Sequence, residues 1–180
     1  MAQKGFYYDQ TSCIGCKACQ VACKDKNNLK VGPRYRRVYD IEIGKFPNPH
    51  RAHFSISCNH CENPKCVENC PTGALQKRKE DGIVIHDHAK CIGCRLCTWS
   101  CPYGAPQYKE DEGKVGKCDG CSDLVAKGEN PACVDACVMR CLEFGDIVEL
   151  RQKYGTNADA PGLPSSATTH PNLIINVKKH

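Results

Sequence analysis

Large apolar residues are scarce in this chain. One Trp, two Met and four Phe in 180 residues leave little material for the core that usually holds a domain of this size. No segment approaches 18 consecutive apolar residues, so no membrane-spanning helix is expected within it. Residues 1–10 carry no apolar centre, no twin Arg and no small-residue cleavage site, and no signal peptide is expected there. A Ser-His-Asp set, a phosphate loop and a dinucleotide fingerprint are all missing, so nothing points to chemistry on an organic substrate.

Cysteine is what the chain has in excess. Sixteen of its 17 Cys fall into four groups of four. Group one is Cys13, Cys16, Cys19 and Cys23. Group two is Cys58, Cys61, Cys66 and Cys70, followed by Pro71. Group three is Cys91, Cys94, Cys97 and Cys101, followed by Pro102, and group four is Cys118, Cys121, Cys133 and Cys137. Group three is the full C-x2-C-x2-C-x3-C-P run of bacterial two-cluster ferredoxins. A cubane cluster needs four soft thiolates at its iron corners. Three Cys at i, i+3 and i+6 can wrap three corners, and the fourth ligand comes from elsewhere in the chain. Gly15 and Gly93 let the backbone approach the inorganic sulfides. Pro after the last Cys turns the chain away, and groups one and four have Lys24 and Val138 there instead. Four groups imply four clusters, and four clusters in one small chain imply a path for electrons.

Dense Cys has two other common uses. A secreted disulfide framework rarely repeats C-x2-C-x2-C, and Cys so close together are poorly placed to bridge. Zinc suits the paired C-x2-C of groups two and four, but three Cys within seven residues suit a cubane better. The formal charge of +5 omits the ligand thiolates. Each loaded site adds about −2, moving the balance to roughly −3, so no nucleic-acid binding is expected. Lys77-Arg78-Lys79 reads as a solvated hairpin face.

The groups repeat in pairs. Cys13-Ile14-Gly15-Cys16-Lys17 matches Cys91-Ile92-Gly93-Cys94-Arg95, and Glu62-Asn63-Pro64-Lys65-Cys66-Val67 matches Glu129-Asn130-Pro131-Ala132-Cys133-Val134. The chain reads as a duplicated two-motif unit. Helices are predicted at 18–26 and 96–100, directly after the Cys loops. A hairpin is predicted from Leu75–Lys79 and Ile83–His86 around Asp81-Gly82. Arg37 to Ile43 alternates as a strand, with 53–57 as its partner. Asp146 to Tyr154 reads as a helix ended by Gly155. The stretch 156–171 is loop-like, Leu173–Val177 is a strand candidate, and the tail is expected to lie on another surface. With so little apolar mass, the clusters should organise the fold, and the apo chain should fold poorly.

Three further residues stand out. Cys141, the leftover, reads as a small buried hydrophobe rather than a ligand. His60, inside the second Cys loop, reads as a loop residue with local contacts, or as a hydrogen-bond donor to sulfur. Trp99 is expected to shield a cluster from water.

With these groups in view, the sequence resembles the iron–sulfur (B) subunits of the dimethyl sulfoxide reductase family of molybdopterin oxidoreductases. The resemblance rests on Cys91-Ile92-Gly93-Cys94-Arg95, on Cys101-Pro102-Tyr103-Gly104-Ala105-Pro106-Gln107-Tyr108 and on Lys117-Cys118-Asp119-Gly120-Cys121. Ser57-Cys58-Asn59-His60-Cys61 and Cys70-Pro71-Thr72-Gly73-Ala74 carry it further. It runs from about Gly5 to Tyr154 and again over Pro171–Ile175. The fold it implies is α+β: two ferredoxin-like modules, each holding two [4Fe-4S] clusters, with short strands, short helices and long loops. Residues 1–49 would pair with 103–155 as one module, 50–102 would form the other, and 156–180 would be an extended tail.

The implied ligand sets cross between groups. Cluster one would take Cys13, Cys16, Cys19 and Cys137, and cluster two Cys118, Cys121, Cys133 and Cys23. Cluster three would take Cys58, Cys61, Cys66 and Cys101, and cluster four Cys91, Cys94, Cys97 and Cys70. Some relatives carry Trp in place of Cys97 and hold a [3Fe-4S] cluster there; the Cys here implies four [4Fe-4S] centres. Relatives often have Ala at Cys141 and Pro at Val138. The implied role is non-catalytic. Electrons would pass between a molybdopterin catalytic subunit, towards cluster one, and a membrane quinol-oxidising anchor or other donor, towards cluster four. A relay subunit of a formate dehydrogenase or hydrogenase complex is the alternative, and a zinc-stabilised interaction protein the remote one. The expected place is a peripheral membrane-associated complex, on the cytoplasmic side or exported folded with a partner carrying the signal.

Overall fold

A computed structural model describes residues 3–178. Met1, Ala2, Lys179 and His180, the outer ends of the expected first module and tail, lie outside the described residues. The elements are short because the Cys loops interrupt them, and one small sheet gathers the chain's distant parts. Strand β1 (Lys4–Asp9) lies between β8 (Leu142–Asp146) and β9 (Leu173–Asn176). β1 pairs antiparallel with β8, Tyr8 opposite Leu142, and parallel with β9, Phe6 opposite Leu173. Alternation along β1 sends Phe6 and Tyr8 into the Cys-rich core and Tyr7 to the other face.

On that other face lies helix α6 (Ile147–Tyr154), which buries Ile147 and Leu150 against Tyr7 and Ile174. Its first turn is capped as its sequence dictates: the Asp146 carboxylate accepts from the Val148 N–H at 2.9 Å. Its last residue, Tyr154, stacks on Tyr7 with ring centroids 3.6 Å apart.

Three hairpins surround the Cys loops. β2 (Arg37–Ile43) pairs with β3 (His50–Ile56), β4 (Leu75–Lys77) with β5 (Val84–His86), and β6 (Gln107–Lys109) with β7 (Lys114–Gly116). The β2–β3 pairing runs from Arg37 opposite Ile56 to Ile43 opposite His50, so it ties together residues on both sides of position 49/50. At the β4–β5 turn the Asp81 carboxylate accepts from the Ile83 N–H, and Gly82 takes φ 66°.

The remaining helices are brief: α1 (Ala18–Lys26), α2 (Lys65–Glu68), α3 (Leu96–Ser100), α4 (Ser122–Val125) and α5 (Ala132–Asp135). Helix α1 packs on α5 and α2 on α3, which sets Cys group one against group four and group two against group three. The main core mixes thiols with hydrocarbon: Cys19, Cys23, Cys118, Cys133 and Cys137 are buried among Phe6, Tyr8, Phe54 and Ile56.

The tail departs from its expectation. Rather than lying on another surface, Leu173, Ile174 and Ile175 are buried in the protein's own sheet. Upstream of them, Asn172 Nδ2 donates to His60 O at 2.7 Å, and the Glu62 N–H donates to His170 O at 2.8 Å. The tail is a strap that fastens the second Cys loop to the central sheet. A parallel pairing between residues so far apart in sequence leaves no local signal.

Candidate metal centres

The Cys loops owe their shape to residues in the left-handed region. In group one Gly15 has φ 69° and Lys17 φ 63°; in group three Gly93 has φ 71° and Arg95 φ 62°. Each loop then enters its helix, α1 or α3, directly after that left-handed basic residue. The two Gly are needed for space as well. A Cβ on Gly15 would lie 2.4 Å from the His53 ring, and one on Gly93 2.1 Å from Gly113 O. Backbone N–H groups turn towards sulfur: Gly120 donates to Cys118 Sγ at 3.4 Å and Ala105 to Cys101 Sγ at 3.5 Å.

All 17 cysteines are free thiols, and 16 of them stand in four quartets. Cys13, Cys16, Cys19 and Cys137 line one hollow. Cys58, Cys61, Cys66 and Cys101 line a second. Cys70, Cys91, Cys94 and Cys97 line a third. Cys23 faces Cys118, Cys133 and Cys121 and is shifted upward, first by burial and then by those neighbours. Burial likewise pushes Cys121 and Cys61 up to about 12 and Cys97 up to about 11, with the thiols of their own quartets adding to it. Thiols so crowded resist ionising together, and a multivalent cationic core is what lets them. Among the described residues no three Cys, His, Asp or Glu converge as for a single ion. Four soft donors around a hollow fit a cubane cluster, which when bound supplies one-electron redox chemistry.

The quartets differ in exposure. The thiols Cys23, Cys118, Cys121 and Cys133 are all buried, whereas Cys16 in the first quartet and Cys94 in the last are exposed. Exposed apolar side chains belong to the same hollows, Ile14 and Met139 with Cys16 and Ile92 with Cys94, and Val21, Val138, Leu96 and Trp99 are exposed in the segments that follow those Cys. Trp99 therefore does not shield a cluster within this protein; it is 79% exposed. Residues 96–100 form one helical turn and a half, and Cys97 takes the inward side.

His60 is more than a loop residue with local contacts. It is fully buried at φ 43°. Nδ1 accepts from the Val84 N–H at 3.1 Å, which leaves Nε2 to carry the proton, facing the Cys118 thiol. Burial lowers its pKa, so the ring stays neutral. His60 belongs to the loop of one quartet, with Nδ1 3.8 Å from Cys58 Sγ, and turns a buried Nε2 that has no hydrogen-bond partner towards a thiol of another. Cys141 is buried, and it sits in the wall of the first hollow with its Sγ 3.3 Å from Cys137 Sγ.

Two buried cations escaped the sequence reading. Lys117 is 5% exposed, and its ammonium donates to Val84 O and Cys118 O. Arg36 is 2% exposed and donates to Ser55 O, Ser55 Oγ and Ser57 Oγ at 3.0–3.2 Å. Adjacency to Cys118 is a usable signal for Lys117. Arg36 lies 13 residues beyond Cys23 and carries no such mark.

Known proteins agree with this chemistry. Residues 50–147 match the 4Fe-4S dicluster domain family, and residues 4–25 match a 4Fe-4S binding domain. The sequence is 48% identical to the B subunit of the anaerobic dimethyl sulfoxide reductase of Escherichia coli (strain K12), over 96% of its own length and 88% of the relative's. Its identity to the corresponding B subunit of Haemophilus influenzae is 46%, over 100% of its own length and 92% of the relative's. It is 41% identical to the thiosulfate reductase electron transfer subunit PhsB of Salmonella typhi, over 79% of its own length and 75% of the relative's. The protein belongs to the family of the dimethyl sulfoxide reductase iron–sulfur (B) subunits, the non-catalytic 4Fe-4S electron-transfer subunits of molybdopterin oxidoreductases.

Proposed function

We propose that this protein relays electrons through four [4Fe-4S] clusters. The ligands are Cys13, Cys16, Cys19 and Cys137 for cluster one, and Cys23, Cys118, Cys121 and Cys133 for cluster two. Cluster three takes Cys58, Cys61, Cys66 and Cys101, and cluster four takes Cys70, Cys91, Cys94 and Cys97. The observation that carries this reading is the gathering of 16 thiols into four quartets, each drawing on two sequence groups.

Connectivity orders the clusters. Clusters one and two share α1 and α5, which hold Cys19, Cys23, Cys133 and Cys137 or end beside them. Clusters three and four share the loops of groups two and three. His60 and Lys117 stand between ligands of clusters two and three. The residues thus arrange a line with a wholly buried quartet and a half-buried one inside and one exposed thiol at each end. They exclude water from the middle and leave the ends open to partners. Two ferredoxin-like modules follow, one built on groups one and four and the other on groups two and three.

The exposed patches beside Cys16 and Cys94 are the docking faces. One receives a molybdopterin catalytic subunit of dimethyl sulfoxide reductase type. The other receives a membrane quinol-oxidising subunit or another donor; among the described residues no helix is long and apolar enough to cross a membrane. Names of the relatives support the reductase type over a formate dehydrogenase or hydrogenase relay.

The test is anaerobic iron and sulfide analysis of the purified complex, with EPR during a redox titration. About 16 iron and 16 sulfide per polypeptide are expected, at four of each per cubane. Stoichiometric zinc, or no paramagnetic signal at any potential, would overturn the relay. Mass spectrometry of the co-purifying catalytic subunit tests the choice of partner.

A further inference from the structure

Arg36 is a cation without an anion. Its guanidinium is buried, its oxygen partners are the neutral groups of Ser55 and Ser57, and its remaining side-chain partner is the Cys133 thiol. Nε is buried with no hydrogen-bond partner, and the ring of Phe6 covers one face at 4.7 Å. Among the described residues no carboxylate pairs with it. An isolated charge so placed is strongly unfavourable unless something nearby compensates it.

The charges around it belong to thiols. Cys133, Cys19, Cys118 and Cys23 are its electrostatic neighbours, and Ser55 Oγ, which takes one of its hydrogen bonds, lies 3.3 Å from Cys19 Sγ. Cys19 is a ligand of cluster one; Cys23, Cys118 and Cys133 are ligands of cluster two. Each loaded site carries about −2, and one more electron takes it to about −3 with no bond made or broken.

Resting on the ligand sets proposed above, we infer that Arg36 is the shared internal counter-ion of clusters one and two. Held between them, it favours an added electron on either and raises both midpoint potentials. The electron arrives from the next centre in the line and leaves the same way. Cluster four has no such device: of the buried residues described, only Arg36 and Lys117 are Lys or Arg, and Lys117 lies beside Cys118. Cluster four is therefore the internal control.

The experiment compares Arg36→Met and Arg36→Lys in the purified complex, with iron content measured before EPR-monitored redox titration. Four loaded centres in the wild type establish the relay independently of Arg36. In R36M two centres should titrate at lower potential, their reduced fraction at the wild-type midpoint falling tenfold or more, where each tenfold is about 59 mV for one electron. R36K should recover most of that shift, and the remaining two centres should not move. If R36M fails to load two centres while R36K loads all four, the counter-ion role also stands. Unshifted potentials in fully loaded R36M would overturn it. So would loss of the same two centres in both variants, because packing rather than charge would then be the requirement.

Discussion

The quartet Cys23, Cys118, Cys121 and Cys133 and the quartet Cys70, Cys91, Cys94 and Cys97 use the same donors in opposite settings. The first is wholly buried, with Arg36 and the His60 ring beside its thiols and the Lys117 ammonium on the Cys118 carbonyl. The second has an exposed Cys94, half-buried Cys70 and Cys91, and Trp99 in solvent beside it. Arg95 lines the hollow too, but from an exposed position, with its guanidinium over the Tyr108 ring at 3.6 Å. Thiol spacing decides what can be held. Surroundings decide how readily an electron is accepted and who can reach it, because interior charge acts through a low dielectric and rim charge is screened.

The largest effect is expected from stripping iron and sulfide anaerobically. Thiols make up much of the main core, with few aromatic residues between them. The apo protein should lose its cooperative thermal transition and most of its protection from proteolysis. A stripped protein melting within a few degrees of the holo form would mean that the hydrocarbon core suffices, and the contrast between the two settings would then concern redox tuning only.

Next in size is a paired ligand change. Cys118→Ser removes a proposed ligand from the wholly buried quartet and leaves the buried Arg36 and Lys117 less compensated. It should cost about 3 kcal/mol or more in stability and the iron of one centre. Cys94→Ser acts at the rim and should lower iron content while shifting the melting temperature far less. Equal shifts in calorimetry would erase the distinction between interior and rim.

His60→Leu takes away one neutral donor. The Val84 N–H loses its acceptor and the Cys118 thiol its facing N–H, at a cost of about 1–3 kcal/mol. One midpoint potential should fall in an EPR titration while that of the rim quartet stays put. A shift at the rim instead would misplace His60.

The smallest effect on stability belongs to the exposed patches. Trp99→Ala and Ile14→Ala should each change stability by no more than about 0.5 kcal/mol. Each should weaken retention of a different partner when the complex is purified at raised salt. If both variants lose the same partner, the two-ended arrangement is wrong.

Much of the local structure was legible in the sequence. The helices at 18–26 and 96–100 follow from the Cys loops, and the capped helix from Asp146 and Gly155. Both expected hairpins formed, since Pro, Gly and Asp mark their turns. β1 and β6–β7 went unread, because short runs broken by Cys loops and Gly show no sustained period. Trp99 was misjudged for a related reason. In a helix of five residues, only the direction of Cys97 settles which way Trp99 faces.

From the sequence alone came the donor chemistry, the four groups, the internal duplication and the family, since three Cys within seven residues constrain ligation locally. The family resemblance implied which groups stand together; tertiary structure alone decided that the tail returns as β9 beside β1, and that Arg36, Lys117 and His60 are buried against the Cys loops. It also put Cys141 against the first hollow and left Trp99 in solvent. Burial and charge environment are sums over residues far apart in the sequence, and no spacing rule within one segment can contain them.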